Sequence, residues 1–282
     1  MAFGVSQRRA CRVLAQHRST QRKRPAARDQ EAALVERMLE LVAQHPRYGY
    51  RRVWALLRAE GWRVNRKRVY RLWRQQGLKV PGKKRKKRRL GSSANGCVRY
   101  RAAGKDHVWA WDFIHDRTAD GRPLKWLSVV DEYTRECLAL AVGRGMKASG
   151  VVAVLEGLVR QRGVPGHIRS DNGPEFIAQA IRGWLSGSGV GGLYIEPGAP
   201  WENGYAESFH GKLRDELLER EEFASVLEAR VVSAAWREEY NTVRPHSALG
   251  YRTPAEYGAS CPRAASAKPP PARGHEGCSG NG

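Results

Sequence analysis

The sequence predicts an α/β protein: a mixed-sheet domain preceded by an all-α, strongly basic region. Three observations carry that prediction. From His107 to Ile114 the chain alternates, with Val108, Ala110, Asp112 and Ile114 on one side and Trp109, Trp111 and Phe113 on the other, as a strand requires. Between residues 29 and 80, by contrast, apolar residues recur at helical spacing. The charge is also divided: residues 1–105 hold 30 Lys/Arg against 5 Asp/Glu, whereas residues 106–282 hold 20 against 23. Nearly all of the formal +22 thus lies ahead of the alternating strand, which points to a polyanion bound chiefly through the first third.

Composition narrows the class further. An apolar content of 41% with nine Trp supports a packed core. Cys11, Cys97, Cys137, Cys261 and Cys278 are scattered without a CxxC pair, so they read as free thiols of a reducing compartment rather than a disulfide framework or zinc site. No apolar run approaches the roughly 18 residues of a membrane span, and the first residues lack a secretory core. A cytoplasmic protein with no membrane partner is expected.

Taken in order, residues 3–18 show a short helical pattern with Val5, Ala10, Cys11 and Leu14 on one side. A basic connector, Ser19–Arg28, follows. A helix from Asp29 presents Ala33, Leu34, Met38, Leu41 and Val42, and Pro46 ends it. Tyr50, Val53, Trp54 and Leu57 line the next helix, which Gly61 breaks. Asn65 then caps another with Val69, Leu72 and Trp73 facing inward. Helix, Gly-containing turn, helix is the helix-turn-helix pattern, and its second helix carries Arg66, Lys67, Arg68, Arg71 and Arg74 as candidate DNA contacts. The same pattern also describes a basic hairpin that only packs. The run Lys83, Lys84, Arg85, Lys86, Lys87, Arg88, Arg89 reads as a linker that would neutralise phosphates without reading sequence.

The strand of Asp112 is followed by an Asp120-Gly121 turn and two more strands, LKWLSVVDEYT and ECLALAVG. Residues 147–162 form a helix with Val151, Val154, Leu155 and Leu158 inward, and HIRSD is a short strand that delivers Asp171 at its C-terminal end. A helix from Pro174 to about Leu185, a short strand Leu193–Glu196, the PWENG loop and a helix bearing Glu207 come next. Leu227–Tyr240 is a further amphipathic helix, and the Pro/Ala/Gly-rich end reads as a tail. The expected organisation is a basic helical segment 1–28, a helix-turn-helix domain 29–80, a basic linker 81–105, a catalytic domain 106–258 and a disordered tail 259–282. From spacing alone, Asp112, Asp171 and Glu207 make a carboxylate cluster, which repels itself unless a cation fills it. Hard divalent ions, Mg²⁺ above all, suit oxygen ligands.

The motifs WAWDF, SDNGPEF and PWENGYAESFHGKLRDE, in that order and spacing, resemble the catalytic core of insertion-sequence-three-type DDE transposases, the second-frame (OrfB-type) product. The resemblance covers about Tyr48 to Tyr257. It implies a ribonuclease-H-like, retroviral-integrase-like core with Asp112, Asp171 and Glu207 as catalytic residues and metal ligands. It further implies two Mg²⁺ ions, Mn²⁺ substituting, with Asp112 bridging both, and an enzyme that binds the terminal inverted repeats of a bacterial insertion sequence, cuts DNA strands and transfers them to target DNA. A first-frame companion product and a homo-oligomer on DNA belong to the same picture. Asn172 reads equally as a turn residue or as a group orienting Asp171. Lys212 and Arg214, after Glu207, are candidate DNA-end contacts against the plainer reading of a solvated helix face. Two other classes share these features: a ribonuclease-H-type or junction nuclease that hydrolyses without transfer, and a domesticated DNA-binding protein.

Overall fold

The computed structural model describes residues 4–22, 30–80, 100–170, 179–194 and 203–264. The chain divides into two compact units, residues 1–46 and 47–282. In the first, Ser6 caps α1 (Gln7–Val13), its hydroxyl accepting from the Arg9 amide. Cys11 is buried, but Val5 and Leu14 are exposed, so the apolar side expected there reduces to one residue. The helix stops where Ala15 takes φ +50°. After α2 (Arg18–Arg22), α3 (Glu31–Gln44) buries Leu34, Met38 and Leu41, the i, i+4, i+7 stripe of an amphipathic helix.

The second unit begins with a helical hairpin. Helix α4 (Tyr50–Ala59) buries Val53, Leu56 and Leu57, and α5 (Arg66–Gln75) buries Val69, Leu72 and Trp73. The turn between them needs Gly61 at φ +92°, and Asn65 caps α5 by accepting from the Lys67 amide at 2.8 Å. The side chain of Trp54 is spent on the turn: its indole N–H donates to the Val64 carbonyl at 3.0 Å.

A five-stranded sheet follows, in the order β3-β2-β1-β4-β5. Strands β1 (Val108–Arg117), β2 (Pro123–Asp131) and β3 (Cys137–Gly143) form an antiparallel meander, with Gly121 at φ +80° in the first turn. Helix α6 (Ala148–Arg162) crosses over to β4 (His167–Ser170), which lies parallel to β1. Helix α7 (Gln179–Gly187) leads to β5 (Gly191–Tyr194), parallel to β4 and starting two residues earlier than the composition suggested. A β-carbon on Gly191 would stand 2.5 Å from the His167 ring, which is why β5 opens on glycine.

Both faces of the sheet are covered. One face packs Trp109, Trp111, Leu127 and Val129 against Val151, Leu155 and Leu158 of α6 and Ile181 and Leu185 of α7. The other packs Ile114, Trp126 and Val130 under α8 (Gly204–Leu213) and α9 (Val226–Thr242), through Phe209, Leu213, Trp236 and Tyr240. Past Leu213 the helix widens into a π turn, Arg214–Leu218, whose last residues Glu216, Leu217 and Leu218 are all buried. A 3₁₀ turn (Ser247–Leu249) and α10 (Pro254–Ala259) complete the order, the latter entered through a Thr253–Glu256 capping box. Lys105 and Arg263 form an isolated parallel bridge. Among the described residues, no helix is long and apolar enough to cross a membrane.

Candidate active site

Asp112 lies on β1, the middle strand of five, opposite Ser128 of β2. Partners directly opposite share a face, here the one covered by α8. The Ser128 hydroxyl stands 3.1 Å from the Asp112 carbonyl oxygen and 2.8 Å from Nε2 of His210. Nδ1 of the same ring faces Asp112 Oδ2 at 3.5 Å. Burial, reinforced by the Arg214 charge, pulls the His210 pKa down to about 4. The ring is therefore neutral near pH 7, and the 3.5 Å contact is dipolar rather than an ion pair. A neutral imidazole has one N–H, so it donates to one partner and offers a lone pair to the other, Ser128 being the closer. The other carboxylate oxygen, Oδ1, accepts from the Phe113 amide at 2.7 Å. The Asp112 side chain retains 24% exposure, so it is neither sealed in the core nor free in water.

Glu207 lies in the first turn of α8, one turn before His210, with its side chain in solvent. The same helix thus touches Asp112 through His210 and carries the second carboxylate alongside. Asp171 and Asn172 lie outside the described residues. The residue before them, Ser170, ends β4, whose ladder with β1 pairs Val108 with His167, Trp109 with Ile168 and Ala110 with Arg169. Among the described residues, which do not include Asp171, no group of three His, Cys, Asp or Glu side chains would hold a metal ion. The donor chemistry nevertheless fits a hard divalent ion: both carboxylates offer oxygen, both are open to solvent in some degree, and neutral His210 does not cancel the Asp112 charge.

Two neighbouring acids, Asp131 and Glu132, have structural duties. Asp131 accepts from the Thr134 hydroxyl at 2.7 Å and closes the β2–β3 turn, and burial raises its pKa to about 6. Glu132 holds Arg169 at 2.8 Å with both side chains buried. Arg244 and His246, basic residues near the end of the catalytic domain, are buried. Arg244 donates through Nε and Nη2 to the two carboxylate oxygens of Glu216, each at 2.6 Å, and Arg52 donates to Glu216 as well.

On the hairpin, Arg66, Lys67, Arg71 and Arg74 are exposed on one side of α5 with Tyr70 among them, while Arg68 is partly buried. Lys83–Arg89 lie outside the described residues. Arg214 is exposed; Lys212 is partly buried, and its Nζ donates to Ser208 Oγ at 3.0 Å and the Ser208 carbonyl at 3.1 Å. Sequence reasoning did not pick out Ser128 or His210 as partners of Asp112. One weak signal for Ser128 existed: a serine inside an otherwise apolar strand, KWLSVV.

A central β1 flanked by antiparallel β2 and parallel β4, with an acid in mid-strand and another on a covering helix, defines the class of integrase-type cores. Two models with the description "Integrase core domain" match residues 102–200 and 188–254, and one described as "HTH-like domain" matches residues 28–88. The uncharacterized 39.2 kDa protein of insertion element IS476 from Xanthomonas euvesicatoria is 41% identical over 91% of this chain and 73% of its own length. Transposase InsD of insertion element IS2 from Escherichia coli is 31% identical over 78% of this chain and 76% of its own. In structure, a chain of the simian T-cell lymphotropic virus intasome aligns over 57% of both chains at 19% identity with a TM-score of 0.50, a likeness of fold. The chain belongs to the insertion-element transposases of the insertion-sequence-three type.

Proposed function

We propose that the chain binds the terminal repeats of its insertion element and catalyses divalent-metal-dependent strand cleavage and strand transfer, with Asp112, Asp171 and Glu207 as the catalytic carboxylates. The observation that carries this reading is the contact of His210 with Asp112. It ties the helix of Glu207 to the strand of Asp112 although 94 residues separate the two acids. A partly exposed carboxylate in mid-strand, touched by a helix that carries a second, exposed carboxylate, on an integrase-type core, has the character of a phosphoryl-transfer site.

In this reading Mg²⁺ held by the three carboxylates, one ion or two, with Mn²⁺ as a substitute, would neutralise charge on the attacking and leaving oxygens. The chain's own residues do the positioning. His210, itself held by the Ser128 hydroxyl, positions the Asp112 carboxylate. Arg66, Lys67, Arg71 and Arg74 on the exposed side of α5, with Arg68 at its edge, engage the ends of the element, and Lys83–Arg89 add phosphate affinity without sequence preference. Arg214, two turns beyond Glu207, meets the strand being cut, and Asn172 orients Asp171. The segment boundaries at residues 28, 80, 105 and 258 belong to the same proposal, as do a first-frame companion and an oligomer on target DNA.

The test is to incubate the full chain, with and without its companion, with labelled element ends, target duplex and Mg²⁺. Nicking at the transferred end and joining of the 3′ end to target are expected. Asp112→Asn, Asp171→Asn and Glu207→Gln should each remove both, a loss of at least about a thousandfold, while duplex affinity stays. Hydrolysis without joining would make the protein a nuclease, and binding without either would make it a DNA-binding protein only.

A further inference from the structure

The hairpin of α4 and α5 leaves a large hydrophobic side chain in solvent. Among its described residues Tyr70 alone does so, with 43% of its surface exposed. Its place on α5 is central. Val69, Leu72 and Trp73 turn inward, whereas Arg66, Lys67, Arg71 and Arg74 are exposed around it, Arg66 one turn before and Arg74 one turn after. No acid occurs between residues 61 and 80. Cations and hydrogen-bond donors suffice for a phosphate backbone, so an apolar ring in the middle of them calls for a different partner.

The ring is also braced. Its centroid lies 4.7 Å from that of Tyr50, at the start of α4, with the two planes tilted by 50°. Arg74 Nη1 donates to the Tyr70 hydroxyl at 3.4 Å, and Arg51 Nε donates to the Tyr50 hydroxyl at 3.2 Å. A side chain held in this way has little freedom left to lose on contact with a ligand. In a DNA duplex the bases stay stacked, so a helix in the major groove meets their edges rather than their faces. The apolar group displayed on those edges is the C5-methyl of thymine. We propose that Tyr70 is a specificity-determining residue, its ring making apolar contact with a thymine methyl in the terminal repeat of the element. The inference rests on the reading that α5 engages the ends of the element, and it names the base and the group that are read there.

The experiment titrates the full chain against labelled element-end duplexes in which each thymine in turn is replaced by uracil, which removes the methyl and keeps the base pair. Wild type should lose about fourfold in affinity at the position that Tyr70 reads, the worth of one buried methyl. Tyr70→Phe should show the same loss at the same position. Tyr70→Ala and Tyr70→Gln should bind the thymine and uracil duplexes alike, more weakly than wild type binds the thymine duplex. Both should keep the wild-type dependence on salt, because the ring neutralises no phosphate. A ring that only packs against Tyr50 would leave the methyl effect in place in every variant that folds. Three results overturn the inference: a wild type indifferent to every methyl, a position that stays sensitive in Tyr70→Ala and Tyr70→Gln, or an effect lost in Tyr70→Phe. A wild type that prefers element ends over random duplex, yet shows no methyl effect through Tyr70, keeps its end recognition and loses only the thymine contact. One without that preference loses both.

Discussion

The two faces of the sheet are built on different terms. Under α6 and α7 the layer is mostly apolar, Trp109 and Trp111 meeting Val151, Leu155 and Leu158, with a polar edge where the Trp109 indole and Arg162 of α6 both donate to Asp106. Under α8 and α9 the apolar layer is interrupted by polar partners: Ser128 with His210, the Trp126 indole donating to the Ser233 hydroxyl at 2.9 Å, and Glu216 with Arg244. β1 serves both, odd residues to the first face and even ones to the second. The lesson is a division of labour. The first face supplies cohesion chiefly through apolar contact, and the other face uses that rigidity to place charges where water still reaches. A carboxylate among the apolar side chains of the first face would be driven to its neutral form; on the mixed face Asp112 keeps a dipolar neighbour and an opening.

Breaking the comparison begins with the tryptophans. Trp109→Ala should cost about 3–5 kcal/mol by urea unfolding, with the cleavage rate of the remaining folded molecules unchanged. The Glu216 cluster should rival it: Glu216→Ala leaves Arg244 buried without its carboxylate, a loss of about 3–5 kcal/mol that Glu216→Ala with Arg244→Met should largely recover. If the paired variant is as unstable as the single one, packing rather than charge holds that corner.

His210 sharpens the contrast from the opposite side. His210→Ala should leave the melting temperature within a few degrees and reduce strand cleavage about 10–100-fold, the usual range for a partner that orients a ligating side chain. His210→Asn, which keeps a donor and an acceptor, should restore part of the rate. A loss of stability in proportion to the loss of rate would show that His210 serves packing alone.

Acid tests the mixed face differently. Burial, and then the Arg244 charge, depress the His246 pKa to about 2. Unfolded, that ring titrates near its ordinary value of about 6.5. The unfolded chain therefore binds the proton more readily, and the stability His246 contributes is complete above pH 6.5 and is lost as pH falls from there toward 2. Asp131, with its pKa raised to about 6, acts in the other direction below that pH. The diagnostic quantity is hence the difference between wild type and His246→Gln, which should narrow as pH falls. The smallest effect belongs to the hairpin: Asn65→Ala should cost about 1 kcal/mol through its lost cap and weaken duplex binding only by that much.

What was legible in the sequence was local. Asn65 as a cap, Asp120-Gly121 as a turn and the alternation through Asp112 each need only a few neighbouring residues, and the structure has all three. The pairing of Ser128 with His210 joins residues 82 apart and leaves no period to detect, so the support of Asp112 was out of reach. From sequence, Arg244 and His246 fit a DNA contact, while a packed, capped turn explains Pro245 and Gly250 equally well, and the structure buries Arg244 and His246. Nothing in RDELL announces that Glu216 faces inward to meet them. Asp171 and Asn172 were named from the motif, and they lie outside the described residues.

That inward turn of Glu216 comes from the π turn after α8, where the Glu219 amide reaches back to the Arg214 carbonyl at 2.9 Å, five residues rather than four. The extra residue acts as a phase adjuster on a single rod. Upstream, the rod is clocked by β1 through His210; downstream it is clocked by Arg52 and Arg244 through Glu216. The number of residues between Glu207 and Glu216 is therefore a dimension of the site, as fixed as a bond length. Deleting one residue there would restore an ordinary helix and set its two ends out of step by about 100°.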